Sequence, residues 1–292
     1  MQKKRILQLI SLQLISLLLL SLSLAYPVLA RPPAQGPSLA WIIWEMEQPP
    51  QSLQLNGPTL WVGSYKGGLY QWDIEQGYQN HYTTTHGLAG DDIVGLALDG
   101  SGNVLAAAID GGLVVGNPPF TDLTPPDDQR AWDLAVDNGG KIWLASLGGG
   151  VGRYSGGTWI VYNTTNTSLP TNDIYAIATD GSTPWIGTVG YGLAALNGSN
   201  WVTYTLPVNI AHPITPTILI SNNAVVDIAI DGSSNKWLAT DGSGVVVLDS
   251  LNSGWTVYDT ANSGLPDNFV HTVAINGDER WFGTLGGGVA HL

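Results

Sequence analysis

No cysteine occurs in the 292 residues, so a disulfide framework, a thiolate nucleophile and a thiolate metal site are all excluded. Charge is scarce and one-sided: Asp, Glu, Lys and Arg make up 11% of the chain, with 10 basic against 23 acidic residues and a formal net charge of -13. Three of the basic residues, Lys3, Lys4 and Arg5, fall in the first 30 positions, which hold no acid, so the remainder carries 7 basic against 23 acidic residues, or -16. Such a surface repels phosphate backbones and anionic lipid, so nucleic acid is not an expected partner. Beyond residue 40 no segment has helical periodicity and no apolar run is long enough to cross a bilayer. What is plentiful is glycine (37 residues), tryptophan (12) and proline (17), in a chain that is 44% hydrophobic and therefore able to build a core.

Residues 1-30 combine a basic start, a leucine-rich stretch and the small residues Val28 and Ala30 after Pro27. That is the pattern of a signal peptide cleaved after Ala30, and it predicts a secreted or periplasmic protein with no membrane insertion once the leader is removed. Retention of the leader as an anchor is the alternative. Residues 31-40, RPPAQGPSLA, have the composition of a flexible leader into the folded part.

From residue 41 the chain repeats. Six copies of a short strand, a glycine turn and an apolar run begin at Trp61, Leu105, Trp143, Trp185, Trp237 and Trp281, with spacings of 44, 38, 42, 52 and 44 residues. A period in that range suits one four-stranded propeller blade. Ahead of the copies lie alternating segments ending in Asp-Gly or Asn-Gly, such as LAGDDIVGLALDG (88-100) and LPTNDIYAIATDG (169-181), where a tight hairpin with positive φ angles is expected. Three copies are followed by aromatic strands, WIVYNTTN (159-166), WVTYTLPV (201-208) and WTVYDTAN (255-262). One unit is thus strand A, a hairpin, the Trp strand B, the glycine turn, strand C and an aromatic strand D.

The pattern predicts an all-β fold, a six-bladed β-propeller of four-stranded antiparallel blades over 41-292. WIIWEMEQ (41-48) matches strand D and is expected to complete the last blade, closing the ring without an open edge. Leu53, Leu96, Leu134, Ile177, Ile228 and Val273 are expected to pack between blades, with Trp61, Trp143, Trp185, Trp237 and Trp281 as wedges. A closed ring is expected to be a monomer.

The succession of LPxN, an alternating strand, Asp-Gly, W-x-G-T, G-x-G and a W-x-x-Y strand resembles the two-component regulator propeller repeat, most clearly in LPTNDIYAIATDGSTPWIGTVGYG (169-192). The resemblance implies a sensing or binding propeller whose usual ligand class is carbohydrate. Unlike the kinase-linked members, it is expected to carry no signalling output domain of its own. The W-x-G-T strand is also similar to that of virginiamycin B lyase-type propellers, which implies a metal-assisted lyase as an alternative, without a residue-level match to an active site.

No catalytic set is visible. The five histidines have no metal-ligand spacing, there is no Gly-x-Ser-x-Gly elbow, and the few arginines do not suit a sialidase. Asp99, Asp137, Asp180 and Asp231 resemble calcium loops only superficially, because turn geometry alone asks for Asp there, so no cofactor is expected. Propeller ligands gather where D-to-A and B-to-C connections meet. In register, the strand-A position five before the Asp or Asn contributes Gln51, Val94, Trp132, Tyr175, Val226 and His271, the next column adds Asp133 and Asp227, and the B-to-C turns add Tyr65, Lys66, Asp110, Tyr191 and Asp241. Aromatic faces beside carboxylates and an imidazole suit a small polar or carbohydrate ligand, although Trp132, Tyr175 and His271 equally suit interblade packing. An exported binding propeller is the leading reading. A lyase or lactonase at the channel and a protein-interaction scaffold are the alternatives.

Overall fold

In a computed structural model, residues 46–125, 130–207 and 224–292 are described, and these form six antiparallel sheets in chain order. Blade one is β1 (Pro50–Asn56), β2 (Thr59–Ser64), β3 (Gly68–Asp73) and β4 (Gly77–Tyr82). Blade two is β5 (Ile93–Leu98), β6 (Val104–Ala108), β7 (Gly112–Gly116) and β8 (Thr121–Asp122), and blade three is β9 (Ala131–Val136), β10 (Ile142–Ser146), β11 (Gly150–Ser155) and β12 (Thr158–Tyr162). Blade four is β13 (Ile174–Asp180), β14 (Thr183–Thr188), β15 (Gly192–Asn197) and β16 (Asn200–Tyr204). Blade five is β17 (Val225–Ile230), β18 (Lys236–Thr240), β19 (Val245–Leu248) and β20 (Trp255–Tyr258), and blade six has three strands among the described residues, β21 (Val270–Asn276), β22 (Glu279–Thr284) and β23 (Val289–His291). The first strands of successive blades pack against one another, β1 on β5, β5 on β9, β9 on β13, β13 on β17 and β17 on β21, which makes strand A the innermost in a propeller arrangement. Among the described residues no helix is long and apolar enough to cross a membrane.

Two strand-D elements were not legible as such: β4, which ends in Tyr82, and the two-residue β8. Tyr82 nevertheless takes the role of Tyr162 and Tyr258, each ring lying about one ring-width from the strand-B tryptophan of its blade, at centroid distances of 6.1, 6.1 and 6.0 Å for Trp61, Trp143 and Trp237. The glycine turn permits this close approach. Gly244 sits at φ +76°, and a Cβ there would stand 2.1 Å from the Tyr258 carbonyl oxygen, so the strand C start can meet strand D only without a side chain.

The hairpins correct the expectation that Asp-Gly itself supplies positive φ throughout. In blade four a two-residue turn does so, with Gly181 at φ +63°. In blades two, three and five the left-handed residue comes later, at Gly102, Gly140 and Ser234, while the aspartate acts through its carboxylate. Asp137 Oδ1 accepts the Gly139 and Lys141 amides, and its Oδ2 accepts the Trp143 indole N–H; Asp231 does the same for Ser233, Asn235 and Trp237. These hydrogen bonds overcome the cost of partial burial and hold both carboxyls below their ordinary range.

Five interblade joints are made. Trp61, Trp143, Trp185 and Trp237 are 1 to 8% exposed, each wedged against the next blade as expected. A side chain of that size buries roughly 150–250 Å², worth about 4–6 kcal/mol as an upper bound. Two joints also carry a cation. Lys236 of blade five, 1% exposed, lies 4.4 Å from the Trp185 ring centre and 3.2 Å from Asp180 of blade four, and Arg280 of blade six repeats this with Trp237 at 5.1 Å and Asp231 at 3.1 Å.

The ends of the series depart from expectation. Leu53 is 65% exposed where Leu134, Ile177, Ile228 and Val273 are 5 to 7%, and Trp281 is 41% exposed. Among the described residues β1 and β21 do not pack on each other as the other first strands do, yet Val62, Tyr70 and Trp72, on the same face of blade one as Leu53, are only 3 to 6% exposed. The closing strand expected at 41-48 falls mostly outside the described residues; its last residues, 46–48, are not strand, and Met46 packs on Val62, Tyr70 and Trp72 of blade one.

Candidate functional site

Each strand A begins with a β-bulge. The ladder skips one residue between Pro50 and Ser52, Ile93 and Gly95, Ala131 and Asp133, Ile174 and Ala176, Val225 and Asp227, and Val270 and Thr272. The skipped residues are Gln51, Val94, Trp132, Tyr175, Val226 and His271, the column singled out from the sequence. A bulge releases its extra residue from the ladder and re-aims the side chain, which is why bulges collect beside binding sites. Sequence alternation located the column but could not show the bulge.

Of these six, the structure brings two into ring contact, Trp132 of blade three and Tyr175 of blade four, at a centroid distance of 5.4 Å and a tilt of 51°. Both are half-buried, while Gln51 and His271 are exposed. Burial, then the negative charges of Asp241 and Asp173, push the Tyr175 phenol above its ordinary range. Asp241, on the B-to-C turn of blade five, is held against blade six through a bridge to Phe269. Burial raises its carboxyl, and the charge of His271 opposes that rise. Trp132, Tyr175, Asp241 and His271 therefore form one electrostatically connected rim over blades three to six.

Asp133 and Asp227 lie one residue deeper and stitch neighbouring blades. Asp133 Oδ2 accepts the Ile177 amide of blade four at 2.8 Å, and its Oδ1 accepts the Leu134 amide. Asp227 Oδ2 accepts the Val273 amide at 2.8 Å and the Thr272 hydroxyl of blade six, and its Oδ1 accepts the Ile228 amide. Both keep some accessible surface while protein encloses them, as groups do where the first strands converge. Burial, then the charge of Asp227, pushes the Asp133 carboxyl up to about 7, and burial also raises Asp227. The two carboxylates thus tie neighbouring first strands together.

Over blades one and two a second cluster forms around Asp92, a residue missed from the sequence. Its carboxylate is 8% exposed, accepts the Gln51 side-chain amide at 2.6 Å, and is raised chiefly by burial, the Asp110 charge adding to the rise while the Gln51 hydrogen bond opposes it. Asp110 accepts the backbone amides of Asp91 and Asp92, a turn-capping role. Lys66, at φ +54°, lies 5.0 Å from the ring of its neighbour Tyr65, and a hydrogen bond with the Tyr65 side chain, followed by the charges of Asp92 and Asp110, raises its ammonium. Tyr191 stands 53% exposed on the blade-four turn, and Val94 and Val226 are half-buried apolar members of the bulge column. The doubled acid in LAGDD was the available signal for Asp92. Among the described residues no group of three or more His, Asp or Glu is placed to hold a metal ion.

No family model matches the chain, and no curated protein sequence does. Solved structures do share its fold. The extracellular domain of a protein described as the hybrid two-component system BT3049 of B. thetaiotaomicron is 18% identical with a TM-score of 0.67, over 88% of this chain and 35% of that one. PorZ, a surface component of the type-IX secretion system of Porphyromonas gingivalis, is 19% identical with a TM-score of 0.60, over 81% of this chain and 37% of its own. The extracellular domain of BT4673 of B. thetaiotaomicron is 19% identical with a TM-score of 0.53, over 86% and 39%. This chain spans just over a third of the length of these three proteins. The likeness is one of fold: the chain is an all-β propeller similar to those of extracellular two-component-system domains and a bacterial surface component.

Proposed function

We propose that this chain is an exported ligand-binding propeller that takes a small polar ligand, with carbohydrate as the ligand class, at the rim of bulged strand-A residues. The observation that carries the reading is the Trp132–Tyr175 ring pair near Asp241 and His271, on first-strand residues that the bulges release from the ladder. Rings of that kind stack on the apolar faces of sugars, and the neighbouring carboxylates accept hydroxyl hydrogen bonds. Resemblance to the two-component regulator propeller repeat supports the same class, and the leader pattern of residues 1-30 supports export, with a mature protein beginning at Arg31 that intact mass would identify.

Glycan screening followed by calorimetry on single variants tests the site. Trp132→Ala and Tyr175→Ala are each expected to weaken binding by about 1 kcal/mol or more, a several-fold rise in Kd. Ile160→Ala on the outer strand β12, where the side chain is 43% exposed, serves as the control. Equal affinity in all three folded variants would place the ligand elsewhere.

A further inference from the structure

Two carboxylates at the rim stand apart from the other aspartates. Among the described residues, every buried or half-buried aspartate side chain accepts at least one hydrogen bond from the protein except those of Asp173 and Asp241. The reason is local. Loop aspartates ordinarily fold the carboxylate back onto amides of their own turn, as Asp137 and Asp231 do. At Asp241 the turn is closed instead by Thr240, whose hydroxyl accepts the Ser243 amide at 3.1 Å. At Asp173 the neighbour Asn172 does this, its side-chain oxygen accepting the Thr164 amide at 2.8 Å and its carbonyl the amides of Gly148 and Gly150. Both carboxylates are left half-buried and unused by the fold.

Backbone pairing fixes where they stand. Asp173 pairs with Leu147 on the B-to-C turn of blade three, and its carbonyl accepts the Val189 amide of the blade-four turn at 3.2 Å. Asp241 pairs with Phe269 at the entry of blade six, and its amide donates to the Ala224 carbonyl of blade five. Both act electrostatically on Tyr175, the half-buried ring that meets Trp132 at 5.4 Å. Among the described residues no lysine, arginine or histidine makes an ion pair with either. The four ion pairs, at Asp137, Asp180, Asp231 and Glu279, lie at the opposite end of the blades, where hairpins join strands A and B. At the bulge end Lys66 and Arg130 are exposed and make no ion pair. A carboxylate partly withdrawn from water with no partner favours the arrival of a cation.

We infer that the ligand of this rim is an amino sugar with free, protonated amines, whose ammonium groups are received by Asp173 and Asp241. This rests on the rim being the binding site proposed above and adds the charge of what it binds. An ammonium brings three N–H donors to carboxylates that have none from the protein, and the neighbouring rings attract a cation as readily as the apolar face of a pyranose. A uronic acid or a sulfated sugar would set its negative charge against both aspartates, on a chain that already holds 23 acidic against 10 basic residues.

Calorimetry at about pH 6, which keeps amines protonated, tests this with a glucosamine tetrasaccharide, its N-acetylated counterpart, a galacturonate tetrasaccharide and tetralysine. The glucosamine form is expected to bind at least about tenfold more tightly than the N-acetylated one, and the galacturonate not measurably. Asp173→Asn and Asp241→Asn, which break no hydrogen bond of the fold, should each shrink that preference about threefold or more. Asp278→Asn, exposed at the hairpin end, removes the same charge and should leave the preference as it was. No binding of the glucosamine form, no preference for it, or a preference that survives both rim substitutions overturns the inference. Tetralysine bound as tightly, with the same dependence on the two aspartates, would assign the site to lysyl side chains and overturn the sugar. Binding of the N-acetylated form that Trp132→Ala weakens, without any amine preference, would keep the rim as the site and remove only this inference. An amine preference that depends on the aspartates but not on Trp132 or Tyr175 would support the inference and overturn the stacking role of the rings.

Discussion

Lys236 is a buried cation whose replacement separates charge from packing. Its stem fills the joint between blades four and five, and its ammonium lies 3.2 Å from Asp180, 3.0 Å from the Asn252 side-chain oxygen and 4.4 Å from the centre of the Trp185 ring. Lys236→Met keeps most of the volume and removes the charge. A desolvated cation on a tryptophan face is worth about 2 kcal/mol, and an ion pair with one partner in reach of water adds about 1 kcal/mol. Some of this returns, because a buried ammonium pays desolvation that methionine does not, and Asp180 keeps the Ser234 hydroxyl as a donor and is 29% exposed. The expected net loss is about 1–2 kcal/mol. At 2–4 °C per kcal/mol for a chain of this size, melting should fall by roughly 2–8 °C. Urea unfolding of the parent, Lys236→Met, Asp180→Asn and the double variant gives the coupling energy, expected at about 1 kcal/mol. A Lys236→Met protein as stable as the parent, with no coupling to Asp180, would refute the reasoning and make the ammonium a tolerated passenger of its stem.

Asp133 gives a pH prediction whose sign follows from its raised folded-state pKa: the folded protein holds a proton that the unfolded chain has released, so this contribution is full below about pH 4 and lost as the pH rises through about 7. Urea midpoints should therefore fall between pH 4 and 7, and Asp133→Asn should flatten that slope; an unchanged slope would show that the carboxyl titrates normally. Gly244→Ala is expected to cost at least about 2 kcal/mol, because it adds a clash with the Tyr258 carbonyl to left-handed strain, whereas Gly57→Ala, at φ +58° with open space around it, should cost about 1 kcal/mol. Comparable melting temperatures for the two would argue against the close approach of strands C and D.

The repeat was readable because each unit restates the same local chemistry. The strand-B Trp and the G-x-G turn fix β2, β10, β14, β18 and β22 within a residue or two, and the W-x-x-Y strands fix β12, β16 and β20. Strand β4 hid because GYQNHY keeps the tyrosine but has no tryptophan to announce it. The rim column was found by counting back from the hairpin, whereas the bulge that gives it meaning depends on pairing with strand B, which no single strand encodes. Asp92 escaped for a related reason: its partner Gln51 is 41 residues away on the preceding blade. The Asp180–Lys236–Trp185 arrangement joins residues 56 positions apart at most and appears only when two blades face each other. The exposure of Leu53 and Trp281 lay beyond reach, because the same repeat pattern predicts burial at both positions.

The six bulges have a consequence for how this protein tolerates change. A residue that the ladder skips carries no cross-strand partner, so its identity is only weakly tied to the register of the sheet around it. The positions held by Gln51, Val94, Trp132, Tyr175, Val226 and His271 already accommodate an amide, two aliphatics, an indole, a phenol and an imidazole on one repeated backbone. Recognition can therefore be rewritten there while the interblade core stays as it is. Combinatorial libraries confined to these six positions should yield folded members at a far higher rate than libraries of equal size at the strand-B tryptophans, which makes the chain a natural framework for selecting new binders.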